Sequence, residues 1–252
     1  MTTLGPIGVR EIVHLLDLTN LNESCTMADV DALCTAARTR LGDVAAVCIW
    51  PQFVALARAR RTSIQIATVI NFPHGEDSLA DTLAATQTAL AEGADEIDLV
   101  LPYRAFLAGD QLLAREMIAG VAALTCGRAR LKVILETGAL QEPDLIRQAS
   151  ELAIAAGADF LKTSTGKIAV SATLPAATAM LDVIARAARP VGFKVAGGVR
   201  TLGDARPYMD LAAKIMGREW IAPQNFRIGA SGLLSALLAQ EDGQSAEMAG
   251  NY

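Results

Sequence analysis

Short apolar runs alternate with Ala- and Leu-rich stretches along the whole chain. The runs at His14–Thr19, Val44–Pro51, Ile64–Pro73, Glu96–Pro102, Leu131–Gly138, Phe160–Gly166, Val191–Gly198 and Phe226–Ser231 read as eight strands. Between them, segments such as Met27–Thr39, Leu79–Glu92, Asp110–Leu124, Asp144–Ala156 and Ala176–Ala188 have the length and apolar spacing of helices. Strands and helices in alternation predict a parallel sheet of the α/β class, and eight units suffice to close it into a single (β/α)8 TIM barrel. The alternative is an open doubly wound sheet, but no G-x-G-x-x-G follows the first strand. Glu92-Gly93-Ala94-Asp95 and Ala156-Gly157-Ala158-Asp159 precede two strands in the same way. Each glycine suits the position just past a helix end. No linker or low-complexity stretch interrupts the pattern, so residues 1–252 read as one domain. Residues 241–252, polar and rich in small side chains, are expected to form a flexible tail.

Strand side chains alternate between faces. In Glu96-Ile97-Asp98-Leu99-Val100-Leu101, the positions Ile97, Leu99 and Leu101 face the helices and Asp98 points inward. The same count sends Lys132 and Glu136 inward on the fifth strand, Lys162 on the sixth, beside Phe160 and Ser164, and Lys194 on the seventh. Asp98, Lys162 and Lys194 therefore share a barrel interior, toward the strand ends where barrel enzymes do their chemistry. A structural ion-pair network is one reading, because buried charges need partners. Two lysines against one carboxylate do not balance unless Glu136 takes part. The other reading is chemical. At pH 7 only about one free lysine in 2,500 is neutral, from a pKa near 10.4. A neighbouring cation and partial burial that lower this by ~3 units raise the nucleophilic fraction about a thousandfold, ~4 kcal/mol. An exposed salt bridge contributes only ~0–1 kcal/mol. With Asp98 to move protons, the set predicts carbonyl chemistry through an imine.

Glycines cluster after the last three strands: Gly166 in Thr163-Ser164-Thr165-Gly166-Lys167, Gly197-Gly198 before Val199-Arg200, and Gly229 in Gly229-Ala230-Ser231-Gly232. Tight turns alone would account for any one of them. Together with Lys167, Arg200 and the Ser231 hydroxyl they predict a phosphate cradle of backbone N–H groups and a helix N-terminus.

Composition narrows the partners. The 252 residues suit one barrel, 52% hydrophobic content supplies a core, and aromatics are scarce at 4%. A net charge of −5 argues against nucleic acid or an anionic membrane as partner, so an anionic substrate needs a local positive site. With no leader-like start and no apolar run near 20 residues, a cytoplasmic protein is expected. Cys25, Cys34, Cys48 and Cys126 form no CxxC pair, and His14 and His74 are the only histidines. No metal and no cofactor are therefore expected, and the thiols read as reduced. The oligomeric state is left open, a homodimer among the options.

The chain resembles the 2-deoxy-D-ribose-5-phosphate aldolases, a class I aldolase family, over nearly its whole length. The resemblance is carried by Asp17-Leu18-Thr19, Val47-Cys48-Ile49, Asn71-Phe72-Pro73-His74-Gly75, Gly93-Ala94-Asp95-Glu96, Pro102-Tyr103-Arg104, Glu136-Thr137-Gly138, Lys162-Thr163-Ser164-Thr165-Gly166-Lys167 and Gly192-Phe193-Lys194. It implies Lys162 as the imine-forming lysine, Lys194 as the lysine that perturbs it and Asp98 as the proton relay. It further implies Cys48 beside the site and Asp17 and Thr19 at the sugar end. Phosphate binding would fall to Gly166, Lys167, Gly197, Gly198, Val199, Arg200, Gly229 and Ser231, and enamine protonation would be assisted by Tyr252. The implied partners are small phosphorylated sugars and aldehydes. The chain departs from the family pattern at Gly232, where serine is usual, and at Val195, where proline is usual. Trp50 and Ile228 vary in the pocket wall. Rival readings are another imine-forming barrel aldolase, acting on a ketose phosphate, and a non-catalytic phosphosugar-binding barrel.

Overall fold

Alternating Val, Ile, Leu and Ala positions become eight parallel strands in a computed structural model that describes residues 7–60 and 63–249, the last seven of these by backbone alone. The strands are β1 Leu16–Asn20, β2 Ala46–Ile49, β3 Gln65–Ile70, β4 Glu96–Val100, β5 Arg130–Ile134, β6 Phe160–Lys162, β7 Gly192–Ala196 and β8 Phe226–Ala230. Each pairs in parallel with its sequence neighbours and β8 pairs with β1, so the sheet is a closed barrel. Behind the strands come α1 Met27–Ala36, α2 Val54–Ala59, α3 Leu79–Ala91, α4 Gln111–Thr125, α5 Pro143–Ala155, α6 Leu174–Ile184, α7 Leu202–Met216 and α8 Leu233–Ala249. The expected (β/α)8 TIM barrel is the observed fold.

The outward strand positions build the core. Leu16, Leu18, Ile97, Leu99, Leu131, Val133, Leu161, Phe193, Val195, Phe226 and Ile228 join one apolar layer between sheet and helices. At about 25 cal/mol per Å2 of apolar surface, this layer is the main stabilising term. Inside the barrel, Ala46, Cys48, Ala67 and Val69 make a small apolar wall on β2 and β3, flanked by Trp50 and Phe72. Most of the polar positions in the remaining interior are charged: Asp17, Glu96, Asp98, Lys132, Lys162, Lys194 and Arg227.

The repeated Gly-Ala-Asp turns have one shared use. Gly93 and Gly157 take positive φ (101° and 111°) just past α3 and α5. The aspartates that follow accept the backbone N–H of the preceding strand, Asp95 from Ile66 and Asp159 from Leu131, both at 2.8 Å. Several element ends differ from the sequence expectation. α1 stops at Ala36 because Arg38–Thr39 pairs with Gly42–Asp43 in a tiny hairpin. β3 ends at Ile70 and β5 at Ile134, since Asn71 and Glu136 take left-handed backbone (φ 57° and 56°) that no strand continues. The segment expected as a flexible tail begins inside α8, which runs to Ala249.

Candidate active site

Seven charged side chains meet inside the barrel, each brought there by strand alternation. Lys162 Nζ and Lys194 Nζ each lie 2.8 Å from Asp98 Oδ2, and Lys132 Nζ lies 2.9 Å from Asp98 Oδ1. Lys194 also pairs with Asp17 at 2.5 Å, and Lys132 with Glu96 at 2.5 Å. Arg227 closes the ring, 2.6 Å from Asp17 and 2.9 Å from Glu96. Gly229 makes room: a Cβ there would stand 3.0 Å from Lys194 Cε. Asp17, Glu96, Asp98, Lys132 and Lys194 are fully buried, and Lys162, the last residue of β6, keeps 3% of its surface exposed.

Charge balance singles out one amine. The network sets four cations against three carboxylates, so one cation is in excess. Arg227 does not deprotonate in proteins. Lys132 and Lys194 each touch more than one carboxylate, whereas Lys162 touches only the shared Asp98. Burial pushes the Lys162 amine below its ordinary value and nearby Lys194 adds to that, with Asp98 opposing. For Lys194 burial pulls down, but Asp17 and Asp98 outweigh it and hold the amine charged. Asp98 is buried, yet Lys132, Lys162 and Lys194 keep it well below the usual carboxylate range. Lys162 is thus the amine most ready to be neutral, and a permanent cation and anion stand beside it.

The other expected site residues fall into three groups. Asp17 and Cys48 are fully buried in the interior. Burial raises the Cys48 thiol, while Lys194 and Lys162 act in the opposite sense. Asp17 holds Lys194 and Arg227, and Thr19 donates its hydroxyl to the Asp17 carbonyl at 2.8 Å. At the strand exits, Gly166, Gly197 and Gly198 take positive φ, and a Cβ on Gly197 would stand 3.4 Å from the Gly166 Cα. The β6 and β7 loops therefore touch. Val199 is buried behind them, and Arg200 is exposed at the start of the capped turn into α7. Lys167 is exposed, its Nζ donating to the Leu21 carbonyl at 2.7 Å. Ser231 is exposed where α8 begins, and a side chain at Gly232 would meet open space. Tyr252 lies outside the described residues.

The sequence offers Glu136 as the carboxylate that would balance the lysines. Glu136 instead leaves the strand in its left-handed turn and accepts the Thr165 hydroxyl at 2.5 Å. The balancing carboxylates are Glu96 and Asp17, and Arg227 joins the network as a further cation that pairs with both. Alternation could have found Glu96, two positions before Asp98 on the same face. Among the described residues no group of His, Cys, Asp and Glu is arranged to hold a metal ion, and no helix is long and apolar enough to cross a membrane. A cavity of about 930 Å3 opens at the opposite, N-terminal barrel end, lined among others by Arg128, Arg130 and Arg189. It lies away from the amine–carboxylate set.

A buried amine on a barrel strand, next to a carboxylate and a second amine, suits carbonyl chemistry through an imine, and the sequence relationship points to an aldolase. Residues 12–236 match the family model for the DeoC/LacD family aldolases. The chain belongs to that family. It is 52% identical over 244 residues to the deoxyribose-phosphate aldolase of Agrobacterium fabrum (strain C58 / ATCC 33970), covering 95% of this chain and 94% of that protein. A crystal structure from Toxoplasma gondii ME49, provisionally named a deoxyribose-phosphate aldolase, superposes with a TM-score of 0.84 at 25% identity over 93% of both chains. The tetrameric deoxyribose phosphate aldolase of Aeropyrum pernix shares the fold, with a TM-score of 0.77 at 24% identity over 93% of this chain and 92% of that one. The DeoC/LacD chain described here is an aldolase, a carbon–carbon lyase.

Proposed function

We propose that this aldolase reversibly cleaves 2-deoxy-D-ribose 5-phosphate to acetaldehyde and D-glyceraldehyde 3-phosphate, with Lys162 forming the imine. The observation that carries the reading is that Lys162 is the one lysine of the buried network held below its ordinary pKa. The relative from Agrobacterium fabrum supports the choice of sugar.

The neutral Lys162 amine attacks the aldehyde carbon of the open-chain sugar. Asp98, whose Oδ2 lies 2.8 Å from both the Lys162 and the Lys194 amines, moves with Lys194 the protons that let water leave. The resulting iminium draws electrons from the bond between the second and third sugar carbons, while the third carbon's hydroxyl loses its proton. Glyceraldehyde 3-phosphate departs and an enamine remains on Lys162. Protonation at the enamine carbon and hydrolysis release acetaldehyde and restore the amine. Asp17 keeps Lys194 charged and in place. The loops with Gly166, Lys167, Gly197, Gly198, Arg200 and Ser231 receive the phosphate through N–H groups and local positive charge.

Borohydride reduction in the presence of acetaldehyde, followed by peptide mapping, tests the assignment. The expected adduct is on Lys162. An adduct confined to Lys194 or Lys167, or none, overturns it. Cleavage of a ketose phosphate with no cleavage of deoxyribose 5-phosphate would reject the substrate. The phosphate end has its own test in Ser231→Asp, which puts an anion where the phosphate belongs. The expected result is a loss of about a hundredfold or more in kcat/KM for the phosphorylated sugar, with free deoxyribose little affected, as for two like charges worth several kcal/mol. Equal losses for both sugars would remove Ser231 from the phosphate site.

A further inference from the structure

Glu136 is a buried carboxylate that the mechanism above does not use. Backbone bonds clamp it on both sides to the exit of β6: Leu135 N–H donates to the Lys162 carbonyl and Thr137 N–H to the Thr163 carbonyl, both at 2.9 Å. Its own backbone is left-handed (φ 56°, ψ 60°), a conformation that costs any residue but glycine and persists where surrounding contacts enforce it. From this fixed base one oxygen accepts the Thr165 hydroxyl at 2.5 Å, and both oxygens lie 3.4 Å from the Thr165 N–H. Thr165 Oγ1 in turn accepts the Lys167 N–H at 3.0 Å, and Lys167 Nζ reaches across to the Leu21 carbonyl after β1. The connected groups run from the strand beside Lys162, through Glu136 and Thr165, to the loop that carries Gly166 and Lys167.

We propose that Glu136 is a positioning residue that acts through Thr165, holding the Thr165–Lys167 loop in the shape that receives the phosphate end of the substrate. This rests on the phosphate site described above. A short hydrogen bond between the Thr165 hydroxyl and a buried carboxyl fixes geometry as well as energy. Burial raises the Glu136 carboxyl above its ordinary value, and the hydrogen bonds from Thr165, followed by Lys162, act in the opposite sense. Glu136 thus joins the two ends of the site, and the imine end is expected to survive without it, because Asp98 and Lys194 do not depend on it.

The test compares two reactions in the same variants: borohydride trapping of acetaldehyde, which needs no phosphate, and turnover of deoxyribose 5-phosphate. For Glu136→Gln, which keeps one acceptor but turns the other oxygen into a donor, KM for the phosphorylated sugar is expected to rise about tenfold. Trapping and kcat should stay within a factor of about two or three. Glu136→Gly suits the left-handed backbone, so it is expected to fold and to show the larger KM effect. Thr165→Val should reproduce the effect and Thr165→Ser should rescue it, and the Gln–Val double variant should be no worse than Thr165→Val alone. Equal losses of trapping and of phosphorylated turnover overturn the proposal, as does failure of both Glu136 variants to fold, since either makes Glu136 a structural or imine-end residue. Additive losses in the double variant overturn it as well. The outcome for Ser231→Asp separates the two readings. If that variant is selective and Glu136→Gln is not, only this inference falls; if Ser231→Asp is unselective, the phosphate site itself is misplaced.

Discussion

Lys162→Met is expected to lose turnover by about a millionfold or more, the low end of enzymic acceleration, because it removes the amine proposed to form the imine. It is also expected to melt no earlier than the unmodified protein. Methionine fills the lysine's path with an apolar chain, and Asp98 keeps Lys132 and Lys194 as partners. What disappears is the excess cation of the network. A lysine whose folded pKa is depressed works against folding: the penalty is full at pH below the folded value, and it fades as pH rises toward the ordinary 10.5. Thermal melting of both proteins across neutral to alkaline pH checks this. The variant's advantage should be greatest at neutral pH and shrink as pH climbs. A marked loss of stability at neutral pH would mean that the Asp98 pair outweighs the burial of Lys162, and the charge-excess explanation of its reactivity would fail.

The interior position of Lys162 was legible in the sequence. Alternation alone placed Asp98, Lys162 and Lys194 in one interior, because the period of two holds throughout a strand. It failed at Glu136, whose left-handed backbone ends the period one residue earlier, so the expected inward carboxylate turned to Thr165 instead. The missing members of the network, one carboxylate and one further cation, were equally readable in principle. Glu96 precedes Asp98 by two, and Arg227 stands between the outward Phe226 and Ile228. The ring of charges closes across β8 and β1, a pairing that no local pattern announces. The phosphate loops were visible only as glycines. Their convergence depends on backbone torsions, and the contact between Gly166 and Gly197 has no sequence period behind it. The same limit hid the link from Glu136 to Lys167, which runs through a single hydroxyl.

Asp98→Asn is expected to injure fold and chemistry together. Three buried ammonium groups lose the carboxylate they share, and an amide returns one acceptor and no charge. Breaking a buried pair by removing one partner costs about 3–5 kcal/mol. The folded Asp98 is depressed below 3.8, so the stability it contributes is present above that value and is lost as pH falls through the folded one. The gap between the two proteins should therefore be widest near neutral pH and close in strong acid. Turnover should fall about a hundredfold to ten-thousandfold, the usual worth of a positioned proton-transfer group. The direction of the pH profile is the discriminating part. Asp98 raises the Lys162 pKa, against burial and Lys194, so its removal should move the acid limb of imine trapping to lower pH even as the plateau rate drops. A lower plateau with an unmoved limb would leave Asp98 as a proton carrier without electrostatic influence on Lys162. A limb displaced to higher pH would show that the carboxylate is not what keeps the amine charged, and the balance of four cations against three carboxylates would no longer explain which lysine reacts.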